Sequence, residues 1–189
     1  MIINDYLSDK ANGIVFYRKI KIIMKQNTIK ILQLLYAGLL ADTVSIYDKH
    51  KILESVISQK SIENQLAAPA RVSQFKLNTP KDVFETHNKL ISYADWQIKV
   101  IDNNTFVSST SCKLCDIAKS INTVEPCRLC CIDPLGSICE ALNVPHKIEV
   151  VKTLWEEDEC VFKIYSCNNV LNQISINSNK GEKNEKLIS

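Results

Sequence analysis

Residues 96–111, with the sequence WQIKVIDNNTFVSSTS, carry the pattern from which the fold class of this chain is predicted. The first half of this stretch places Trp96, Ile98 and Val100 on alternate positions, and this period of two predicts a β-strand. The pair Asn103-Asn104 predicts a turn, after which the remaining residues return as a second strand. The stretch therefore predicts an antiparallel β-hairpin.

A second hairpin is predicted closer to the C-terminus. Residues 148–154 and 160–165 are rich in β-branched and aromatic side chains, and the acidic loop 156–159 connects them. Helical patterns at about 113–119 and 129–142 lie between the two hairpins. Two hairpins can join into one antiparallel sheet with helices packed on one face, so the sequence predicts an α+β fold.

The N-terminal part of the chain reads as helices. Asn27-Thr28 can cap a helix that runs to about Tyr47, and residues 51–66 give another amphipathic pattern. A short helix is predicted to start at Thr79-Pro80, with the threonine as N-cap and the proline at the first helical position. These helices precede the first hairpin and complete the predicted architecture.

Three regions are predicted from these changes of pattern. Residues 1–67 form a helical N-terminal region, and Ala67-Ala68-Pro69-Ala70 marks its boundary. Residues 68–167 form the α+β, cysteine-rich domain. Residues 168–189 are polar and rich in Lys, Asn and Ser, which predicts a disordered tail.

Composition excludes several classes of function. The chain has 189 residues, 46% apolar and 23% charged, with a net charge of +2, so no strong field favours nucleic acid. The longest apolar stretch, residues 31–40, contains Gln33 and is too short to cross a bilayer, so no membrane partner is expected. No signal peptide is recognised at the N-terminus, which predicts a cytoplasmic protein whose eight cysteines stay reduced.

Six of the eight cysteines fall between Cys112 and Cys139. Two CxxC pairs, Cys112 with Cys115 and Cys127 with Cys130, offer four thiolates to a zinc ion or an iron–sulfur cluster. The eleven residues between the pairs are fewer than in most zinc ribbons. The alternative is that several of these thiols, Cys139 above all, are small residues of the hydrophobic core.

A catalytic interpretation of the same segment needs a thiolate close to a group that handles protons. Cys130 and Asp133 are three residues apart and share a helix face. Cys112 ends a strand and opens a helix, a position that lowers the pKa of a thiol. His146 lies just before the next strand and could approach. These four residues are the candidate catalytic set.

Residues 96–165 resemble the bacterial L-2-amino-thiazoline-4-carboxylic acid hydrolase-like family, which is related in pattern to 4-vinyl-reductase domains that bind small ligands. The resemblance rests on three motifs: Ser109-Thr110-Ser111-Cys112, Cys130-Cys131-Ile132-Asp133 and Glu157-Asp158-Glu159-Cys160-Val161-Phe162. It implies a hydrolase that opens a C–N bond in a cyclic amidine or thioimidate-like substrate. Cys112 or Cys130 would then be the nucleophile or the ligand of a metal that activates water.

Two other functions stay open at this point. One is a non-enzymatic metal- or ligand-binding sensor domain that uses the same pocket and the four CxxC thiolates. The other is a cysteine-rich partner protein that has no pocket. The hydrolase and the sensor domain each imply a small-molecule substrate or ligand as partner. All three functions allow a homo-oligomer.

Overall fold

The computed structural model describes residues 27–91, 93–101 and 104–167. The tail predicted at 168–189 and the first 26 residues lie outside these ranges. The chain divides into two compact units, residues 1–36 and residues 37–189. Nearly all the described structure belongs to the second unit.

The described residues contain five α-helices, one short π-helical turn and four β-strands. The helices are α1 Asn27–Lys49, α2 Leu53–Phe75, α3 Pro80–Leu90, α4 Lys113–Ser120 and α5 Asp133–Glu140. The π-helical turn, called here the π-turn, is Arg128–Ile132 and leads directly into α5. The strands are β1 Gln97–Ile101, β2 Asn104–Ser109, β3 His146–Lys152 and β4 Cys160–Ser166.

Helix α3 begins where the sequence predicts it. The Thr79 side chain accepts a hydrogen bond from the backbone of Asp82, whose carboxylate accepts one from the backbone of Thr79 in return. Pro80 occupies the first helical position, where its missing N–H would have no helical partner in any case. The capping box thus confirms the predicted start.

Helix α2 continues through the boundary that the sequence predicted at residues 67–70. Pro69 lies inside the helix, which ends only at Phe75, with Lys76 in the left-handed conformation after it. Proline removes one backbone donor, but it does not end this helix. The division at residue 67 into a helical region and an α+β domain stays a prediction.

The four strands form one antiparallel sheet in the order β1-β2-β4-β3. The two predicted hairpins are joined through β2 and β4, with Val107 opposite Phe162 and Ser109 opposite Cys160. The helices pack against this sheet, so the α+β prediction is confirmed.

The inner face of the sheet carries the core. Val107 of β2 and both Phe162 and Ile164 of β4 are buried there. Phe162 contacts the rings of Phe84 and Trp96, with centroids 6.4 Å and 5.1 Å away. Phe84, Trp96 and Phe162 are called the aromatic cluster below.

Candidate functional site

Six thiols converge at one end of the sheet. Cys112 follows β2 as the N-cap of α4, Cys115 lies one turn later, and Cys160 opens β4 opposite Ser109. The other three come from the π-turn and the residue before it, and all six interact electrostatically as neighbours. The thiol cluster is Cys112, Cys115, Cys127, Cys130, Cys131 and Cys160.

Contacts within the thiol cluster are direct. The Sγ atoms of Cys115 and Cys127 lie 3.8 Å apart, although the two residues belong to different helical segments. The backbone N–H of Leu154 donates to the Sγ atom of Cys160 at 3.1 Å. Five of the six thiols are buried and Cys130 is half-buried. The cluster is therefore a packed, largely inaccessible group of sulfur atoms.

The π-turn has a local cause in the sequence. Pro134 has no N–H, so it cannot donate to the carbonyl of Cys130 four residues before it, and its ring crowds that carbonyl. The helix widens here, and the N–H of Asp133 donates to Arg128, five residues back. The hydroxyl of buried Tyr93 donates to the Cys130 carbonyl instead, which satisfies it. A proline and a tyrosine thus hold Cys130 and Cys131 in place.

The environment of the thiols favours their protonated form. Burial raises the pKa of Cys130 to about 12, and the neighbouring Cys112 sulfur adds to this effect. The hydrogen bond with Cys115 raises the pKa of Cys112 well above its ordinary value, and burial raises it further. The helix N-terminus at Cys112 was predicted to lower that pKa, and this prediction is wrong because hydrogen bonding and burial prevail. Neither thiol is a thiolate near neutral pH.

Asp133 lies beside the cluster rather than within it. Its carboxylate is 4.0 Å from the guanidinium of Arg128, which also lies 3.6 Å from Glu54. Burial raises the pKa of Asp133, and the positive charge of Arg128 opposes this rise. The Asp133 carboxylate is thus placed to form a partly exposed ion pair with Arg128.

His146 lies at the other end of the sheet from the thiols. It opens β3 and pairs with Ser166, the last residue of β4, whereas Cys160 is the first residue of β4. Six residue steps of a strand span roughly 20 Å. The Nδ1 atom of His146 lies 2.6 Å from the carbonyl oxygen of Val144. The structure therefore brings Cys112 and Cys130 together and leaves His146 apart from them.

The metal-binding prediction for Cys112, Cys115, Cys127 and Cys130 needs correction. Within residues 27–91, 93–101 and 104–167, no group of three or more His, Cys, Asp or Glu side chains could hold a metal ion. Cys115 and Cys127 are in contact, with their Sγ atoms 3.8 Å apart, but this pair alone supplies two of the four ligands that a structural zinc site needs. A zinc or iron–sulfur site is not supported.

Two residues near the thiol cluster were not predicted to matter. Tyr93 supports the π-turn, and the ring of His87 packs edge-on against it with centroids 5.0 Å apart. His87 is buried, and neither ring nitrogen has a hydrogen-bond partner in the described part of the chain. The sequence signal that points to Tyr93 is indirect: a proline four residues after Cys130 leaves one carbonyl in need of a donor.

Comparisons with known proteins give little support for a named family. No family model matches the chain, and no curated protein matches it. Among solved structures, it is similar to a trafficking protein particle complex subunit 3 from Naegleria fowleri covalently bound to palmitic acid. The identity is 13% and the TM-score 0.48, over 72% of this chain and 96% of the other. A likeness of this extent carries no argument about function.

The resemblance to the aminothiazoline hydrolase-like family is therefore corrected. No family model matches the chain, and no curated protein of that family or any other matches it. The predicted C–N hydrolysis, the sensor alternative and the small-molecule partner are wrong with it. The protonated, buried thiols agree with this correction, since a nucleophilic cysteine needs a thiolate.

Proposed function

We propose that this chain is a protein-interaction subunit that binds a protein partner through an apolar surface on helix α1. The supporting observation is the number of large apolar side chains that α1 exposes. They are Ile29, Ile31, Leu32, Leu34, Leu35, Tyr36, Leu39 and Ile46. Exposed apolar side chains grouped in this way mark sites where another molecule docks.

The part of α1 that lies in the second unit has two apolar faces. Ala37, Ala41 and Val44 recur at helical spacing and are fully buried. Leu39 and Ile46 are seven residues apart, share the opposite face, and are 63% and 54% exposed. The inner face is used by the fold of this unit, which leaves the outer face for a partner.

The part of α1 in the first unit exposes the same kind of surface. Leu32 and Leu35 are exposed, and Leu35 reaches 63%. Full burial of one leucine side chain contributes about 1.5–3 kcal/mol. An apolar helix of a partner protein, packed along these leucines, would gain several such contributions.

A membrane is the main rival for this surface. Helix α1 has 23 residues, contains an 18-residue window with a mean hydropathy of 1.5, and is long enough to cross a bilayer. However, Ala37 and Ala41 belong to the hydrophobic core of the second unit, so a spanning helix would have to leave that core. The fold therefore favours a helix that stays packed and binds a protein along its outer face.

The chemistry of the cysteines agrees with a reducing location. All eight are free thiols, and disulfides are rare where glutathione keeps thiols reduced. Nothing in the described residues conflicts with a cytoplasmic location. A protein partner should then be sought among proteins of the same compartment.

Native mass measurement of the tagged chain from its own cells tests the proposal. The measured native mass of the wild-type chain should exceed its own 21.4 kDa. The additional mass should belong to one identified protein, or to a second copy of the chain, present in a fixed ratio to the tagged chain. Leu39→Glu places a charge in the outer face of α1 and should release the partner. Mixing the purified partner with the purified chain should restore the complex for the wild-type chain but not for the Leu39→Glu variant.

Leu90→Glu is the matched control. Leu90 ends α3 and is also exposed, so the same change is made outside α1. This variant should keep the partner. A wild-type chain that runs as a free monomer, a Leu39→Glu chain that retains its partner, or vesicle binding that Leu39→Glu abolishes would each contradict the proposal.

A further inference from the structure

We propose that Cys115 and Cys127 form an oxidation site, at which a small peroxide converts the two thiols into one disulfide that ties α4 to the π-turn. The proposal concerns the thiol cluster and does not depend on the function proposed for α1. It rests on the placement of two sulfur atoms from separate helical segments.

The geometry singles out this pair. The Sγ atoms are 3.8 Å apart, and a disulfide brings sulfur atoms to about 2.05 Å. Cys115 lies in the first turns of α4, and Cys127 immediately precedes the π-turn. The remaining approach between the two sulfur atoms is less than 2 Å. Both residues are free thiols in the structure.

The reaction balances with hydrogen peroxide as the oxidant. The minor thiolate form of Cys127 attacks one peroxide oxygen and the O–O bond breaks. The hydroxide that leaves takes up the proton that the thiol had released, so the products are a sulfenic acid and one water molecule. The sulfur of Cys115 then attacks the sulfenic sulfur and expels a second water molecule. Two thiols lose two electrons and two protons in total, and one peroxide molecule is reduced to two water molecules.

Cys127 is the first of the two to react. It is 7% exposed, against 3% for Cys115. The hydrogen bond with Cys115 is the largest single effect and favours the thiolate of Cys127, but burial together with Glu125 and Cys131 leaves its pKa raised. Peroxide is close to water in size, so it reaches a nearly buried sulfur that larger oxidants cannot. Formation of the bond in the folded protein is consequently slow.

The disulfide would change the stability of the protein. It closes a loop that contains residues 116–126, and a loop of this size removes conformational freedom from the unfolded chain. We expect the oxidised protein to melt roughly 5–10 °C above the reduced protein. The rise in melting temperature should last only while an oxidant is present, because a thiol reductant reduces the disulfide again.

Trypsin separates the relevant cysteines. Cleavage after Lys113, Lys119 and Arg128 places Cys112, Cys115 and Cys127 in three different peptides. The reduced full chain is treated with hydrogen peroxide, its remaining thiols are blocked, and the unreduced digest is analysed by mass spectrometry. The expected product joins peptides 114–119 and 120–128, with the loss of two hydrogen atoms.

Other products of the wild-type chain overturn the proposal without any variant. These are a dominant link between Cys112 and Cys115, a link from Cys127 to another cysteine, a sulfinic acid on Cys127, or no link at all. Cys127→Ala should abolish both the linked peptides and the rise in melting temperature. Cys139→Ala is the matched control, a buried cysteine outside the thiol cluster, and should retain both.

Discussion

The aromatic cluster and the thiol cluster belong to one hydrophobic core, and burial acts on different properties of their side chains. The rings of Phe84, Trp96 and Phe162 contact one another at centroid distances of 5.1–6.4 Å. Their burial contributes directly to the free energy of unfolding. The thiols are smaller, and their burial raises their pKa values. One region supplies stability, whereas in the other burial suppresses reactivity.

This difference explains why cysteine count alone misled the functional prediction. A group of cysteines suggests ligation or nucleophilic attack only where the thiolate form is accessible. In this protein, the sulfur atoms fill the space between α4, the π-turn and the start of β4. Substitutions made separately in the aromatic cluster and in the thiol cluster should distinguish effects on stability from effects on thiol reactivity.

Phe162→Ala should have the largest effect on stability. The ring is 1% exposed and contacts two other rings, so its removal should cost about 3–5 kcal/mol in the free energy of unfolding. Phe106→Ala is the control, because Phe106 lies on the neighbouring strand and is only half-buried. Urea unfolding should show a clearly smaller cost for the control. Equal costs would mean that the outer face of the sheet is also core.

Acidification should destabilise the protein through His87. Burial lowers the pKa of His87 to about 4, whereas the unfolded chain has the ordinary value near 6.5. The unfolded state therefore binds more protons between these values, and stability present above pH 6.5 is lost as the pH falls towards 4. The loss should reach roughly 3 kcal/mol.

His87→Leu keeps the apolar contact with Tyr93 and removes the titrating group. The slope of the unfolding free energy between pH 6.5 and 4 should become flatter in this variant. His146→Leu alters a histidine at the far end of the sheet and should leave the slope unchanged. An unchanged slope for His87→Leu would show that His87 is not the group responsible.

Cys139→Ser should cost about 1–3 kcal/mol, since it buries a hydroxyl that needs a hydrogen-bond partner. Cys139 is 0% exposed in α5. Cys139→Ala removes the polar atom and should be better tolerated, and Cys167→Ser, at a half-buried position, should cost less than about 0.5 kcal/mol. Thermal melts of the three variants rank them. If Cys139→Ser has no effect on stability, a polar group beside this position must form a hydrogen bond with the new hydroxyl.

Alkylation should produce the smallest change, because the folded thiol cluster should scarcely react. Burial raises the pKa of Cys130 to about 12, so its thiolate is very rare at pH 7. Iodoacetamide at pH 7, followed by peptide mass spectrometry, should label the cluster slowly in the native protein. Labelling should be rapid in guanidinium. Rapid labelling of Cys112 or Cys130 in the native protein would show that one of these thiols is reactive in the folded state.

The sequence predicted local structure well where one short motif determines it. The hairpin in residues 96–111 follows from alternation and a turn, and the start of α3 follows from Thr79, Pro80 and the partner carboxylate of Asp82. The fold class follows from the order of these elements. Each of these features depends on neighbours within a few residues.

Features set by distant neighbours could not be predicted in the same way. His146 precedes a strand, but only the strand order reveals that β3 is an edge strand and that His146 opens it at the end away from the thiols. Cys112 stands at a helix N-terminus, but its pKa depends on Cys115 and on burial. Pro69 suggested a boundary, yet the packing of α2 tolerates it.

The proline in α5 affects the orientation of side chains in the thiol cluster, although it has no reactive group of its own. An additional residue in one helical turn shifts the phase of the side chains on its two sides by about 100°. Pro134 therefore determines, from four and three positions away, which way Cys130 and Cys131 face. Replacing it by alanine would permit regular winding and rotate these sulfur atoms relative to Leu135 and the rest of α5. Which thiols can ever meet is thus encoded partly by a residue that has no reactive group.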